Sequence, residues 1–175
     1  METTDTRSPP PAAAVVTQLY AEHALGLVRL AVLLVGDRPS AEDIVQDAFL
    51  GLYRRWDRLP DTSAPLPYLR VSVLNGCRTA LRQRTRSRLG PADAAGEGRP
   101  AESAEARALL TEEQRAVAVA LRRLPQRQRE ALVLRYYLDL SEAEIAAAMG
   151  ISRGTVKSAT SRALAAVGRI LREGS

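Results

Sequence analysis

Apolar residues recur at helical spacing along two stretches of this 175-residue chain, and the recurrence stops once, between Gly90 and about Glu102. In the first stretch Leu19, Tyr20, His23, Leu27, Leu30, Ala31 and Leu34 form one stripe. Gly36-Asp37-Arg38-Pro39 breaks it. Ser40 then reads as the N-cap of a second helix running to about Asp57, with Glu42 and Asp43 in its first turn. That helix is expected to bury Ile44, Val45, Ala48, Phe49, Leu52 and Trp56. A third helix starts near Pro65 to Pro67, because proline is tolerated in a first turn, and runs to about Arg88. Beyond the break, one helix from about Ser103 reaches Leu124, where Pro125 ends it. Another covers Gln126 to Leu138, and two shorter ones are split at Gly150.

No strand pattern of comparable strength and no internal repeat is visible. With one Phe and one Trp, the chain is poor in the aromatics that pleated sheets select. The expected fold is all-α: two small helical domains joined by a flexible linker, the second containing a helix-turn-helix. The expected bounds are a disordered leader over 1–13, a domain over 14–89, a linker over 90–104 and a domain over 105–175.

The formal net charge is +5, carried by 24 arginines and Lys157 against 20 acids. Its placement matters more than its size. One cysteine, Cys77, forbids an intramolecular disulfide and fits a reducing cytoplasm. It reads as a small buried hydrophobe. The N-terminus carries mixed charges and three consecutive prolines, which excludes a signal peptide. No unbroken run of about 18 apolar residues marks a membrane span. One His, one Cys and the lack of a phosphate-binding glycine loop leave no catalytic set, metal site or cofactor to assign. His23 lies on the first apolar stripe and is expected in the core.

The strongest local signal is Ser141 to Lys157. Ser141 and Glu144 make a capping box. Ala146 is small where two helices cross. Gly150 provides the left-handed turn, Ser152 caps the second helix, and Val156 plugs that helix against the first. This is the spacing of a helix-turn-helix, whose second helix enters the major groove. Val156, Ala163, Val167 and Ile170 are expected to face inward. Ser152, Arg153, Thr155, Lys157, Ser158 and Arg162 are left for DNA.

In the first half, Asp43, Gln46, Asp47, Leu50 and Arg54 share one face of the second helix, opposite its apolar stripe. An acidic-amide stripe of this kind suits a basic protein surface. On the third helix Asn75, Arg78, Arg82 and Arg86 fall on one face, and from Thr62 to Ala92 there are six arginines and no acid. A stripe of one sign suits a phosphate backbone or a displaced single strand.

Three blocks together resemble the sigma-70 family of transcription initiation factors, in its extracytoplasmic-function branch, and most of all the actinobacterial SigE-type subgroup. Ala41 to Leu50 resembles the core-binding helix, Pro67-Tyr68-Leu69-Arg70 through Asn75 to Arg84 the promoter-melting helix, and Leu121 to Ala131 with Ser141 to Leu164 the upstream-element-binding domain. The resemblance covers residues 15–171. It implies that Asp43, Gln46, Asp47 and Leu50 bind RNA polymerase core. It implies that Asn75, Arg78, Arg82 and Arg86 face the minus-ten element, and that Ser152, Arg153, Thr155, Lys157, Ser158 and Arg162 face the minus-thirty-five element. It also implies promoter DNA as a partner and leaves open whether an anti-sigma factor is another. The chain departs from the family at Thr79, where many relatives carry Asp, and at Ala159, where many carry Arg; both positions would bear on promoter preference. A stand-alone helix-turn-helix regulator is the alternative, and an enzyme the more distant one.

Overall fold

The computed structural model describes residues 12–59, 64–89 and 111–173. Those residues form seven α-helices and one short 3-10 turn, with no strand among them. We label them α1 (Ala12–Val35), α2 (Arg38–Arg54), the 3-10 turn Trp56–Arg58, α3 (Pro65–Leu89), α4 (Glu112–Arg122), α5 (Gln126–Tyr136), α6 (Glu142–Met149) and α7 (Arg153–Glu173). Residues 1–11 and 90–110 lie outside the described residues, and with them the expected linker, the start of the helix expected from about Ser103 and most of the expected leader; Ala12 and Ala13, expected in the leader, belong to α1.

Helix α1 is the centre of the fold. It packs on α2 and α3, and its other side meets α4 and α5. Leu30, Leu34, Leu52, Leu69, Leu74, Leu134 and Ile145 are fully buried, each burial removing enough apolar surface to stabilise by roughly 1.5–3 kcal/mol. The buried residues of both halves belong to one continuous cluster. Periodicity alone predicts the helices but not this merging of two cores.

Several expectations need correction. The N-cap of α2 is Asp37, not Ser40: its carboxylate accepts the Ser40 amide at 2.9 Å, and Pro39 sits inside the first turn, where its missing N–H costs nothing. Ser40 is therefore helical. Tyr20 is half exposed, although its ring packs edge-on against Phe49 at 5.0 Å. His23 is only partly buried and lies 3.7 Å from Glu22, so it does not belong to the core; Ala24 fills the buried position beside it. Ile44 and Trp56 are partly buried rather than buried. The last helix is not short: α7 spans 21 residues. Finally, α1 is long and apolar enough to cross a membrane by length and composition. Its Leu27, Leu30, Ala31, Leu34 and Val35 are buried against the rest of the protein, as in an ordinary core helix.

Candidate nucleic-acid interface

The helix-turn-helix is built from α6 and α7. The capping box is complete: the Ser141 hydroxyl accepts the Glu144 amide at 3.2 Å, and the Glu144 carboxylate accepts the Ser141 amide at 2.8 Å. The Ser141 amide and the Ser141 hydroxyl, which also donates to that carboxylate at 2.8 Å, hold the Glu144 carboxyl below its ordinary value. Gly150 closes α6 at φ +65°, and the Ile151 amide reaches back to the Ala146 carbonyl at 3.1 Å, the long bond of a Schellman turn. Ser152 then caps α7 by accepting the Thr155 amide at 3.1 Å. Val156, Ala159 and Ala163, at helical spacing, seal α7 onto the core, with Val167 and Ile170 partly buried further along.

The opposite face of α7 is open. Ser152, Arg153, Thr155, Lys157, Ser158 and Arg162 are all exposed. The hydroxyls of Ser152 and Ser158 are engaged locally, the first with Thr155 Oγ1 at 2.8 Å, the second with the Thr155 carbonyl at 3.1 Å. Ala159 faces the core, so it is a packing position and takes no part in the open face.

On α2 the expected acidic stripe is also open. Asp43, Gln46, Asp47 and Arg54 are exposed, and Leu50 is 48% exposed, while Val45, Ala48, Phe49 and Leu52 are buried behind them. The half-exposed leucine stands between Asp47 and Arg54, so this face combines an exposed apolar side chain with charged neighbours.

Helix α3 is less uniform than its sequence suggests. Asn75, Arg82 and Arg86 are exposed. Arg84 turns instead to the α1–α2 turn, where it donates to the Val35 carbonyl at 2.7 Å, to the Ser40 hydroxyl at 2.8 Å and to Asp37. Arg78 reaches across to the C-terminal half. Its Nη2 donates to Glu130 Oε2 at 2.6 Å and its Nε to both carboxylate oxygens at 3.1 Å, while its Nη1 lies 3.3 Å from Asn75 Oδ1. The carboxylate holds the Arg78 guanidinium above its ordinary value despite burial. Glu130 is 4% exposed and also accepts Gln126 Nε2 at 2.8 Å. Next to it, Arg129 donates to the carbonyls of Leu34 at 2.7 Å, Leu124 at 3.3 Å and Arg122 at 3.4 Å.

Comparison with known proteins gives the family. The Sigma-70 region 2 family matches residues 19–87, and the Sigma-70 region 4 family matches residues 109–167. The chain belongs to the sigma-70 family, in its extracytoplasmic-function branch. It is 33% identical over 166 residues to the ECF RNA polymerase sigma factor SigL of Mycobacterium tuberculosis, covering 92% of this chain and 91% of that one. It is 35% identical over 142 residues to the RNA polymerase sigma-E factor of Streptomyces coelicolor, covering 79% of this chain and 76% of that one. Among solved structures it resembles CnrH in complex with the cytosolic domain of CnrY, with a TM-score of 0.69 and 26% identity over 93% of this chain and 91% of that one. It also resembles the sigma factor RpoE bound to the anti-sigma factor NepR from Bartonella quintana, with a TM-score of 0.67 and 25% identity over 89% and 98% of the two chains.

In this sigma factor, α2 and all but the last two residues of α3 lie within the region 2 match, and α4 to α6 with most of α7 lie within the region 4 match. Sequence reasoning missed the contacts that join the two regions. One signal was available: Glu130 and Leu134 are four residues apart on the buried face of α5, so a charge stands on an apolar stripe and needs a partner.

Proposed function

We propose that this sigma factor binds RNA polymerase core through Asp43, Gln46, Asp47 and Leu50 on α2 and directs initiation at specific promoters. Asn75, Arg78, Arg82 and Arg86 on α3 take the minus-ten element and its displaced strand. Ser152, Arg153, Thr155, Lys157, Ser158 and Arg162 on α7 take the minus-thirty-five element. The functional domains are residues 14–89 and 105–175, joined by a linker over 90–104.

The observation that carries this reading is the order of the two matched regions along one chain, each presenting an open face of fitting chemistry. A lone helix-turn-helix regulator has no use for the acidic-apolar face of α2, which is why the alternative is not favoured. Arginines hold phosphates while an amide bonds the edge of an unpaired base. Unstacking a base costs a few kcal/mol, which capture of the non-template strand offsets. The role is one of binding, without covalent chemistry, cofactor or small-molecule substrate, and it is exercised in the cytoplasm without membrane insertion.

One similar structure holds an anti-sigma factor, NepR, and another holds the cytosolic domain of CnrY. Here an apolar groove of about 590 Å³, lined by Arg29, Leu33, Val117, Leu121, Tyr136 and Leu164, opens between α1 and the C-terminal helices. It suits an amphipathic helix of an anti-sigma factor.

The test is run-off transcription with purified core polymerase on genomic templates. Defined start sites with the protein, and none with core alone, are expected. Asp47→Arg should abolish co-purification with core while leaving the circular dichroism spectrum unchanged. Duplex promoter binding without core, and no transcript with it, would favour the stand-alone regulator.

A further inference from the structure

Sigma region 2 and region 4 are held together here by polar contacts as well as by a shared core, and one of those contacts engages a residue assigned to minus-ten DNA. Arg78 spends Nε and Nη2 on Glu130, while its Nη1 lies 3.3 Å from Asn75 Oδ1. Two of the four α3 residues assigned to the displaced strand are thus directed at each other and at α5. Glu130 is buried, so its carboxylate needs that partner for as long as the halves stay closed. Around it the closure is reinforced by Arg129 on the Leu34 carbonyl at 2.7 Å and by the Tyr137 hydroxyl on the Gly26 carbonyl at 3.3 Å. Helices α3 and α6 are in contact as well, with the Arg70 charge close enough to bear on Glu144.

We infer that Arg78 and Glu130 form an intramolecular latch: in the free protein the carboxylate of α5 occupies the guanidinium that minus-ten DNA requires, so strand capture waits for the halves to separate. The inference rests on the assignment of α3 to minus-ten DNA. A carboxylate is a fitting occupant, since it offers the same bidentate anionic acceptor as a phosphate. Opening exposes Glu130 to water and frees Arg78 and Asn75 at once. If only about one free molecule in ten is open, apparent affinity for single-stranded DNA falls about tenfold below that of the open form. Docking of α2 on core would then have to leave the two regions apart.

The test uses the full chain without polymerase. Small-angle scattering gives the radius of gyration, and fluorescence anisotropy gives the affinity for a labelled single-stranded 12-mer of mixed sequence. Glu130→Ala, which replaces no residue proposed to contact DNA, should raise the radius of gyration and tighten binding about tenfold. Combining it with Arg78→Ala should keep the expanded shape and lose the gain in binding. Wild-type compactness and wild-type affinity in Glu130→Ala would overturn the latch. Should that variant lose helicity by circular dichroism, the exchanged pair Arg78→Glu with Glu130→Arg decides. Recovery of a compact helical protein with weak DNA binding supports the latch, and an exchanged pair no more compact than the single variant overturns it. Expansion of Glu130→Ala without any gain in DNA binding would keep the contact as a closure and sink the assignment of α3. Run-off transcription tests the initiation role separately.

Discussion

Arg129 donates to the main-chain carbonyl of Leu34 at 2.7 Å, 95 residues earlier in the chain, and so ties the end of α1 to the start of α5. The same guanidinium reaches the carbonyls of Arg122 and Leu124 at the α4–α5 turn. Burial and the neighbouring Arg122 charge lower its pKa from the ordinary arginine value, with Glu130 opposing them.

Arg129→Ala should therefore cost about 2–3 kcal/mol, because buried carbonyls lose a charged donor. Urea denaturation followed by circular dichroism checks this. The wild-type transition should be a single one, since one core serves both halves. Two resolved transitions in the wild type, with Arg129→Ala shifting neither, would show that the halves are not coupled through this residue.

Gly76 makes the second testable contact. A Cβ placed there would stand 2.7 Å from Ile44 Cγ2, so α3 approaches α2 only because Gly76 has no side chain. Gly76→Ala recovers about 1 kcal/mol of helix propensity. Overpacking against a branched side chain costs about 1–3 kcal/mol, so net destabilisation is expected. Ile44→Ala in the same chain should remove most of that penalty. Strictly additive effects in the double variant would place the cost elsewhere.

A third prediction concerns acid. Burial alone would raise the Asp37 carboxyl, but hydrogen bonds from Ser40 and Arg84, with the Arg84 charge, outweigh it and hold the group below its ordinary value of 3.8. A depressed folded-state pKa stabilises fully above the unfolded value of about 3.9 and is lost as pH falls through the folded one. Melting temperatures should thus drop between pH 5 and pH 3 more steeply in the wild type than in Asp37→Asn, which keeps a capping side chain but no titrating charge. Parallel curves would show that this carboxylate does not set the acid limb.

These contacts separate what periodicity reveals from what it hides. The helix-turn-helix was legible to the residue, because Ser141, Glu144, Gly150 and Ser152 act within a few positions of themselves. The α2 face was legible for the same reason: the buried and exposed stripes of one helix fix each other. Ser40 misled because Asp37, three residues earlier, is an equally good cap and Pro39 looked like a terminator when it is a first-turn residue. Arg78 and Arg84 read as members of one basic stripe. Their partners, Glu130 and Asp37, lie 52 and 47 residues away, a separation that no local pattern encodes.

The last prediction addresses α7 in the assembled holoenzyme. Arg153 and Lys157 stand four residues apart on the open face, with Val156 and Ala159 sealing the opposite side. Arg153 lies in the first turn, and in a helix-turn-helix docked in the major groove a guanidinium there would reach base edges, where it can bond guanine through two donors. Lys157 lies one turn on and has the compact charge of a phosphate contact. Lys157→Ala should weaken binding to every promoter by a similar factor and lower the slope of log affinity against log salt by about one. Arg153→Ala should instead cost about 1–3 kcal/mol at one base pair and relax preference there. Titrating holoenzyme onto a duplex promoter recovered from the run-off experiment, at several salt concentrations and with single base changes in the upstream element, separates the two. If both variants lose affinity uniformly and shift the salt slope alike, both side chains hold phosphates and base reading falls to other residues of this face. If neither changes binding, α7 is not the recognition helix.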